Sequence, residues 1–271
     1  MSFFSYFFVN SWYTKCGDYM KALITGASSG IGKDMAKYLS SLGWDLILVA
    51  RREERLEKLQ KSLKTNVQII PLDLGIEENC FKLYNQVKNE QIDLLINNAG
   101  FGLFGNTFET DLNRELEMIN LNVKAMHILT KLFLCDFYKK DQGTILNVAS
   151  SAGFLAGPRL NTYYATKNYC LKFSLGIYEE LRHKKSNVHI SILCPGPVKT
   201  EFNKVAGGKF NIDSKESMKV AKYAIDKTLK HKLIIIPGLT VKLGVFLNRF
   251  IPTKLSLKIV YKIQERKTNK K

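Results

Sequence analysis

Paired cysteines, proline, histidine and long apolar runs are all scarce in this chain, and each scarcity removes a class of protein. The five cysteines (Cys16, Cys80, Cys135, Cys170 and Cys194) include no CxxC pair, so neither a disulfide scaffold nor a zinc or redox module is expected. They read as small core hydrophobes in a reduced, cytoplasmic protein. His127, His183, His189 and His231 form no HxxxH or HExxH pattern, and no metal is expected. Nor does any apolar run reach the roughly 20 residues of a membrane-spanning helix. Residues 1–20 carry the aromatics Phe3, Phe4, Tyr6, Phe7 and Phe8 but lack the basic start and small-residue cleavage site of a signal peptide. They are taken as an extension that the fold can dispense with. Neither an internal repeat nor a low-complexity linker divides the rest, so one domain is expected over residues 21–237, with the helical segment 238–271 belonging to it.

Acids are scarce as well. The 24 Asp and Glu face 41 Lys and Arg, a formal charge of +17, and such a field attracts anionic ligands and surfaces. The excess is concentrated at the end: from Lys242 onward nine basic residues stand against the single acid Glu265. No aromatic-basic array or recognisable module accompanies them, so a nucleic-acid partner is not expected.

What the chain does have is alternation. Short, nearly continuous apolar runs lie at residues 22–24, 46–49, 67–70, 94–96, 144–148, 188–193 and 233–236, as suits strands buried on both faces of a parallel sheet. Between them, amphipathic stretches at 33–42, 53–63, 77–88, 112–137 and 164–182 supply the crossovers. Right-handed βα units in this order predict an α/β, doubly wound, mostly parallel sheet of about seven strands with helices on both faces. Its ligand belongs at the carboxyl ends of the strands.

The octet Thr25-Gly26-Ala27-Ser28-Ser29-Gly30-Ile31-Gly32 follows the first strand and opens the first helix. Glycines there let the backbone approach a pyrophosphate, and the free N–H groups of the helix end hold its charge. Three other patterns follow in order: Asn97-Asn98-Ala99-Gly100 after the fourth strand; Ser150 with Tyr163 and Lys167, preceded by Asn122; and Pro195-Gly196-Pro197-Val198-Lys199-Thr200 after the sixth strand. Together, over about residues 21–202, they resemble the TGxxxGxG, NNAG, YxxxK and PG motifs of the short-chain dehydrogenase/reductase family. The resemblance implies a Rossmann-type fold and an oxidoreductase that moves hydride between a nicotinamide cofactor and a carbonyl or alcohol carbon.

Residues four apart on a helix share a face, so Tyr163 and Lys167 can point into one cleft. An ammonium near a phenol favours the phenolate, which is expected to lower the Tyr163 pKa and let it act as general acid or base. By the resemblance, Lys167 also holds the nicotinamide ribose, Ser150 polarises the substrate oxygen and Asn122 anchors a water beside Lys167. Gly26, Ser28, Ser29, Gly30, Ile31 and Gly32 are the expected pyrophosphate loop, and Asn98, Ala99 and Gly100 border the cofactor. Pro195, Gly196, Val198 and Thr200 lie beside the nicotinamide, and Asp73 near the adenine.

Cofactor choice is read from Val49-Ala50-Arg51-Arg52. An acid at the end of the second strand would bind the ribose hydroxyl of NAD. Ala50 stands there instead, and Arg51, with Arg52 beside it in the cofactor site, offers a planar guanidinium suited to a phosphate, so NADP(H) is expected. Substrate candidates are 3-oxoacyl thioesters, hydroxysteroid-like ketones and 3-hydroxy acids; the alternative is a non-catalytic NADP-binding regulator.

The family motifs end at about Phe202. Gly207 and Gly208, with Phe210 and Asn211, suggest a mobile lid or a plain loop. Two short helices broken at Pro252 are expected over residues 239–263, capping a pocket or joining a dimer in preference to resting on an anionic membrane. A homodimer or homotetramer is expected through the helices at 112–137 and 164–182, by the resemblance.

Overall fold

The computed structural model describes residues 20–207 and 215–265. Cys16, nearly all of the N-terminal extension, and Gly208, Phe210 and Asn211 of the expected lid lie outside these. Seven strands form one parallel sheet: β1 (Lys21–Thr25), β2 (Asp45–Ala50), β3 (Val67–Pro71), β4 (Leu94–Asn97), β5 (Thr144–Val148), β6 (His189–Leu193) and β9 (Ile234–Ile235), in the order β3-β2-β1-β4-β5-β6-β9. Strand order reverses between β1 and β4, and at that switch point a crevice opens at the carboxyl ends of the strands. A two-stranded ribbon, β7 (Val198–Lys199) and β8 (Lys215–Glu216), stands apart from the main sheet.

The uninterrupted apolar character of the strands follows from burial on both faces. Ala22 and Ile24 of β1, with Leu46 and Leu48 of β2, belong to one core layer. Leu23 between them, with Ile47 and Val49, belongs to the opposite layer. The first layer is closed by α1 (Gly30–Ser41), α2 (Glu53–Gln60) and α8 (Ser217–Thr228), through Met35, Leu39, Leu56, Ala224 and Ile225. The second is closed by α3 (Glu77–Val87), α5 (Met126–Lys140) and α6 (Asn161–His183), through Leu83, Phe133, Phe137, Ile177 and Leu181. Each fully buried Leu or Ile contributes roughly 1.5–3 kcal/mol relative to an exposed one.

A polar core sits inside the second half of the sheet. Asn147 of β5 donates to Ser174 Oγ at 2.9 Å, while its carbonyl oxygen accepts from Asn97 Nδ2 at 3.0 Å and from Thr130 Oγ1 at 3.3 Å. These bonds tie β4 and β5 to α5 and α6 with all four side chains buried.

Two expectations are corrected. The helix expected without interruption over residues 112–137 is α4 (Leu112–Ile119), a wide π turn (Asn120–Ala125) and α5. The wide turn swings Asn122 inward, where its amide donates to Phe101 O at 2.8 Å and to Thr166 Oγ1 at 3.1 Å, and its oxygen accepts from Phe101 N at 3.0 Å. Such turns recur where a helix must aim a functional residue. Cys135 is exposed on α5, whereas Cys80, Cys170 and Cys194 are buried as expected. The final segment forms α9 (Leu239–Leu247) and α10 (Thr253–Glu265) on either side of Pro252.

Candidate active site

The carboxyl ends of β1, β2, β4, β5 and β6 open onto a cleft of about 390 Å³. All but two of the expected site residues line it. The exceptions are Gly32, packed against Asn98 and the Gly26 carbonyl, and Asn122, buried behind the wall.

The glycine loop is shaped for close approach. Gly26 and Gly30 hold φ of +66° and +55°, which L side chains rarely adopt. A Cβ at Gly26 would sit 2.8 Å from Ala99 Cα. Asn98 Nδ2 donates to the carbonyls of Thr25 (3.0 Å) and Gly26 (3.2 Å), and Thr25 Oγ1 accepts from the N–H groups of Asn98 and Ala99, both at 3.0 Å. The NNAG segment thus braces the loop. Ser29 begins α1 in extended backbone, no side chain among the described residues caps that helix end, and its first turn holds no acid. Free N–H groups and the positive helix terminus therefore face the cleft, as a pyrophosphate requires.

At the other end, Tyr163 and Lys167 lie on one face of α6. Ser150 hydrogen-bonds the Tyr163 oxygen. Its Oγ is held in place by the Ala152 N–H at 3.1 Å, at the start of a short 3-10 turn, Ser151–Phe154. Desolvation pushes the Tyr163 phenol well above its ordinary pKa, against the opposing Ser150 hydrogen bond. This corrects the lowering expected from Lys167: burial dominates, and the hydrogen bond from Ser150 is what opposes it. The Lys167 ammonium donates to Val148 O at 2.8 Å and sits 5.9 Å from the centroid of the Tyr163 ring. With its residue only 6% exposed, burial pulls the Lys167 pKa down. Asn122 makes no direct bond to Lys167; both side chains press on Gly100, where a Cβ would meet Asn122 Oδ1 at 2.8 Å and Lys167 Nζ at 3.5 Å.

The two arginines after β2 have different neighbours. Arg51 reaches out to Asp73 at 3.5 Å on the rim. Arg52 turns inward, its Nη2 donating to Ser28 Oγ at 3.2 Å and Ser29 Oγ at 3.1 Å, and its Nη1 to Glu201 Oε2 at 3.2 Å. Arg55 Nη1 donates to both Glu201 oxygens at 2.8 Å. Those bonds, Arg55 foremost, hold the Glu201 carboxyl below the usual carboxylate range. A guanidinium flanked by two serine hydroxyls at the end of β2 is donor chemistry suited to a phosphate, so the residues present fit a phosphorylated dinucleotide.

Reading the sequence missed Glu201, Arg55 and Phe202. The Phe202 ring lies 5.2 Å from that of Tyr163, and with Phe101, Leu160, Tyr164 and Val205 it makes the substrate end of the cleft apolar. Glu201 and Phe202 directly follow Thr200, and adjacency was the only available signal. Tyr164, the neighbour that could compete with Tyr163, accepts from Gln264 Nε2 at 2.8 Å.

Comparison with known proteins agrees with this geometry. Residues 20–209 match the family model described as short chain dehydrogenase. An uncharacterized oxidoreductase of Staphylococcus saprophyticus is 30% identical over 76% of this chain and 91% of its own. A probable NADP-dependent dehydrogenase of Haemophilus influenzae is 32% identical over 73% and 79%. Among solved structures, the chain is similar to a short-chain dehydrogenase from Sphingobium yanoikuyae in complex with NADPH, with TM-score 0.77 and 27% identity over 85% of this chain and 93% of that one.

Proposed function

Because the chain belongs to the short chain dehydrogenase family, and so is an oxidoreductase of the nicotinamide-dependent kind, we propose that it is an NADP(H)-dependent reductase of small apolar ketones. The observation that carries the cofactor preference is Arg52, hydrogen-bonded to Ser28 and Ser29, two residues after Ala50, which stands where an NAD-binding acid would be. The NADPH complex of the Sphingobium yanoikuyae relative and the name of the Haemophilus influenzae protein support it.

The glycine loop and the start of α1 would hold the pyrophosphate, Arg52 with Ser28 and Ser29 the 2′-phosphate, Asp73 the adenine side, and Pro195, Gly196, Val198 and Thr200 the nicotinamide side. When bound, the cofactor supplies or accepts the hydride. The chain's own residues do the rest. Ser150 donates to the substrate oxygen as negative charge grows on it. Tyr163, whose phenol burial keeps protonated, gives its proton to that oxygen as general acid in reduction and would take it back as base in oxidation. Lys167 would orient the cofactor ribose, and Asn122 keeps the wall behind Lys167 rigid. The apolar side chains of Phe101, Leu160, Phe202 and Val205 exclude water and select an apolar ketone, with 3-oxoacyl thioesters and hydroxysteroid-like ketones the leading classes. Leu112, Leu116 and Ile119 of α4 and Tyr169 of α6, all exposed, support a homo-oligomer built through those helices.

The test follows NADPH and NADH absorbance with a panel of ketones, 3-oxoacyl thioesters included, for wild type and Tyr163→Phe. Turnover with NADPH that disappears in Tyr163→Phe is expected. Equal turnover in the variant would sink the proton-transfer role, and preference for NADH would sink the cofactor assignment.

A further inference from the structure

The last two helices carry a surface that the cleft chemistry does not use. Their inner sides pack inward: Val245 of α9 and Val260 and Gln264 of α10 are buried, Val241 presses on Gly196, and Gln264 bonds Tyr164. Their outer sides are apolar and open. On α9 and the turn after it, Leu239, Leu243, Phe246, Leu247 and Phe250 recur at helical spacing, with Leu239 83% and Phe250 73% exposed. The Phe246 and Phe250 rings pack edge to face at 5.4 Å in the open. On α10 the stripe continues through Leu255, Ile259 and Ile263, four residues apart and all exposed. Solvated faces do not ordinarily carry eight large apolar side chains in one run, and a patch of this kind marks a docking site.

Charge decides what docks there. Lys254, Lys258 and Lys262 form a parallel row, also four apart, beside the apolar stripe of α10. Lys242 and Arg249 take the corresponding place beside that of α9. Over residues 239–265 these five cations face one acid, Glu265. A second copy docking face to face would set five cations against five, which disfavours self-association. An apolar ridge edged by lysines instead matches a bilayer interface, where apolar side chains enter the acyl boundary and ammonium groups meet anionic headgroups. Among the described residues no helix is long and apolar enough to cross a membrane, so the helices would lie in the interface plane.

We propose that the outer face of α9 and α10 docks onto an anionic lipid bilayer. This reverses the preference drawn from sequence, in which the segment served a pocket or a dimer: its inner side packs behind the cleft residues Gly196 and Tyr164, and its outer side is left for lipid. The proposal does not rest on the catalytic reading, and its test involves no turnover.

The full chain is sedimented with vesicles of phosphatidylcholine containing roughly one-third phosphatidylserine, and with phosphatidylcholine vesicles alone. Binding to the anionic vesicles is expected, weakened by high salt. The variant Lys254→Gln/Lys258→Gln/Lys262→Gln should bind on the order of a hundredfold more weakly, from about one electrostatic contact per lysine. Phe246→Ser/Phe250→Ser should lose binding without a change in circular dichroism, since both rings are exposed. The proposal is overturned if wild type stays in the supernatant, or if either variant binds as wild type does. It is also overturned if light scattering shows a dimer that Phe246→Ser/Phe250→Ser dissolves while no vesicle is bound.

Discussion

Replacing Glu201 by Gln should tighten NADPH binding, although it deletes an ion-pair network. The Glu201 carboxylate accepts from Arg55 at 2.8 Å through both oxygens and from Arg52 at 3.2 Å. Its side chain is 45% exposed. Because the arginines hold its pKa low, it is ionised at neutral pH and occupies Arg52, the cation assigned to the 2′-phosphate, as well as Arg55. An incoming phosphate must either displace that carboxylate or accept a like charge beside it. Half-exposed pairs of this type are worth about 0.2–1 kcal/mol each, so removing the charge should lower the NADPH dissociation constant by roughly fivefold, about 1 kcal/mol. NADH carries no 2′-phosphate and should bind Glu201→Gln as it binds wild type. Fluorescence titration of both cofactors at low and high salt measures the difference, which should shrink with salt as half-exposed charges are screened. Unchanged or weaker NADPH binding, or equal tightening of NADH, would show that Arg52 does not face the phosphate.

The raised Tyr163 pKa makes the two reaction directions diverge with pH. Ketone reduction needs the protonated phenol and should stay flat over about pH 6 to 8, whereas alcohol oxidation needs the phenolate and should rise about tenfold per pH unit there; a flat oxidation profile would refute the buried-phenol account. Asn147→Ala removes three buried hydrogen bonds, leaving Asn97 with Thr130 Oγ1 and Ser174 with Cys170 O, and at roughly 0.5–1.5 kcal/mol per bond should cost about 2–4 kcal/mol in urea unfolding; a loss well under 1 kcal/mol would mean that the network is not a structural tie. His189 and His231 stack at 3.5 Å, and burial holds both below the ordinary histidine value of 6.5, with His231 adding to the effect on His189. The unfolded chain therefore takes up protons first, so stability is full above about pH 6.5 and falls as the pH drops below it. His231→Asn, which tolerates the φ of 53° at that position, should flatten the acid-side loss in thermal melts, and an unaltered slope would exclude the pair as its source.

Local rules reach as far as residues that speak for themselves. The apolar runs named the strands because a parallel sheet is buried on both faces, and the glycine octet named its own turn because positive φ at Gly26 and Gly30 is a backbone requirement. Tyr163 and Lys167 could be paired from spacing alone, since one helix carries both. Arg51 and Arg52 were both legible as a basic end to β2, but nothing local distinguishes the one that turns outward to Asp73 from the one that turns inward to Ser28 and Ser29.

What the sequence by itself determined is the order of strands and helices, the family and the candidate site residues, all carried by short-range pattern. The tertiary structure alone decided the rest. Glu201 meets Arg52 and Arg55 from some 150 residues away because β2 and β6 both run out at the carboxyl end of the sheet and the chain after β6 turns back across it. Asn122 faces inward because a π turn widens to satisfy Phe101 and Thr166. Burial, not the nearby ammonium, sets the Tyr163 proton, because desolvation depends on everything packed around a group and a motif contains only its neighbours in sequence.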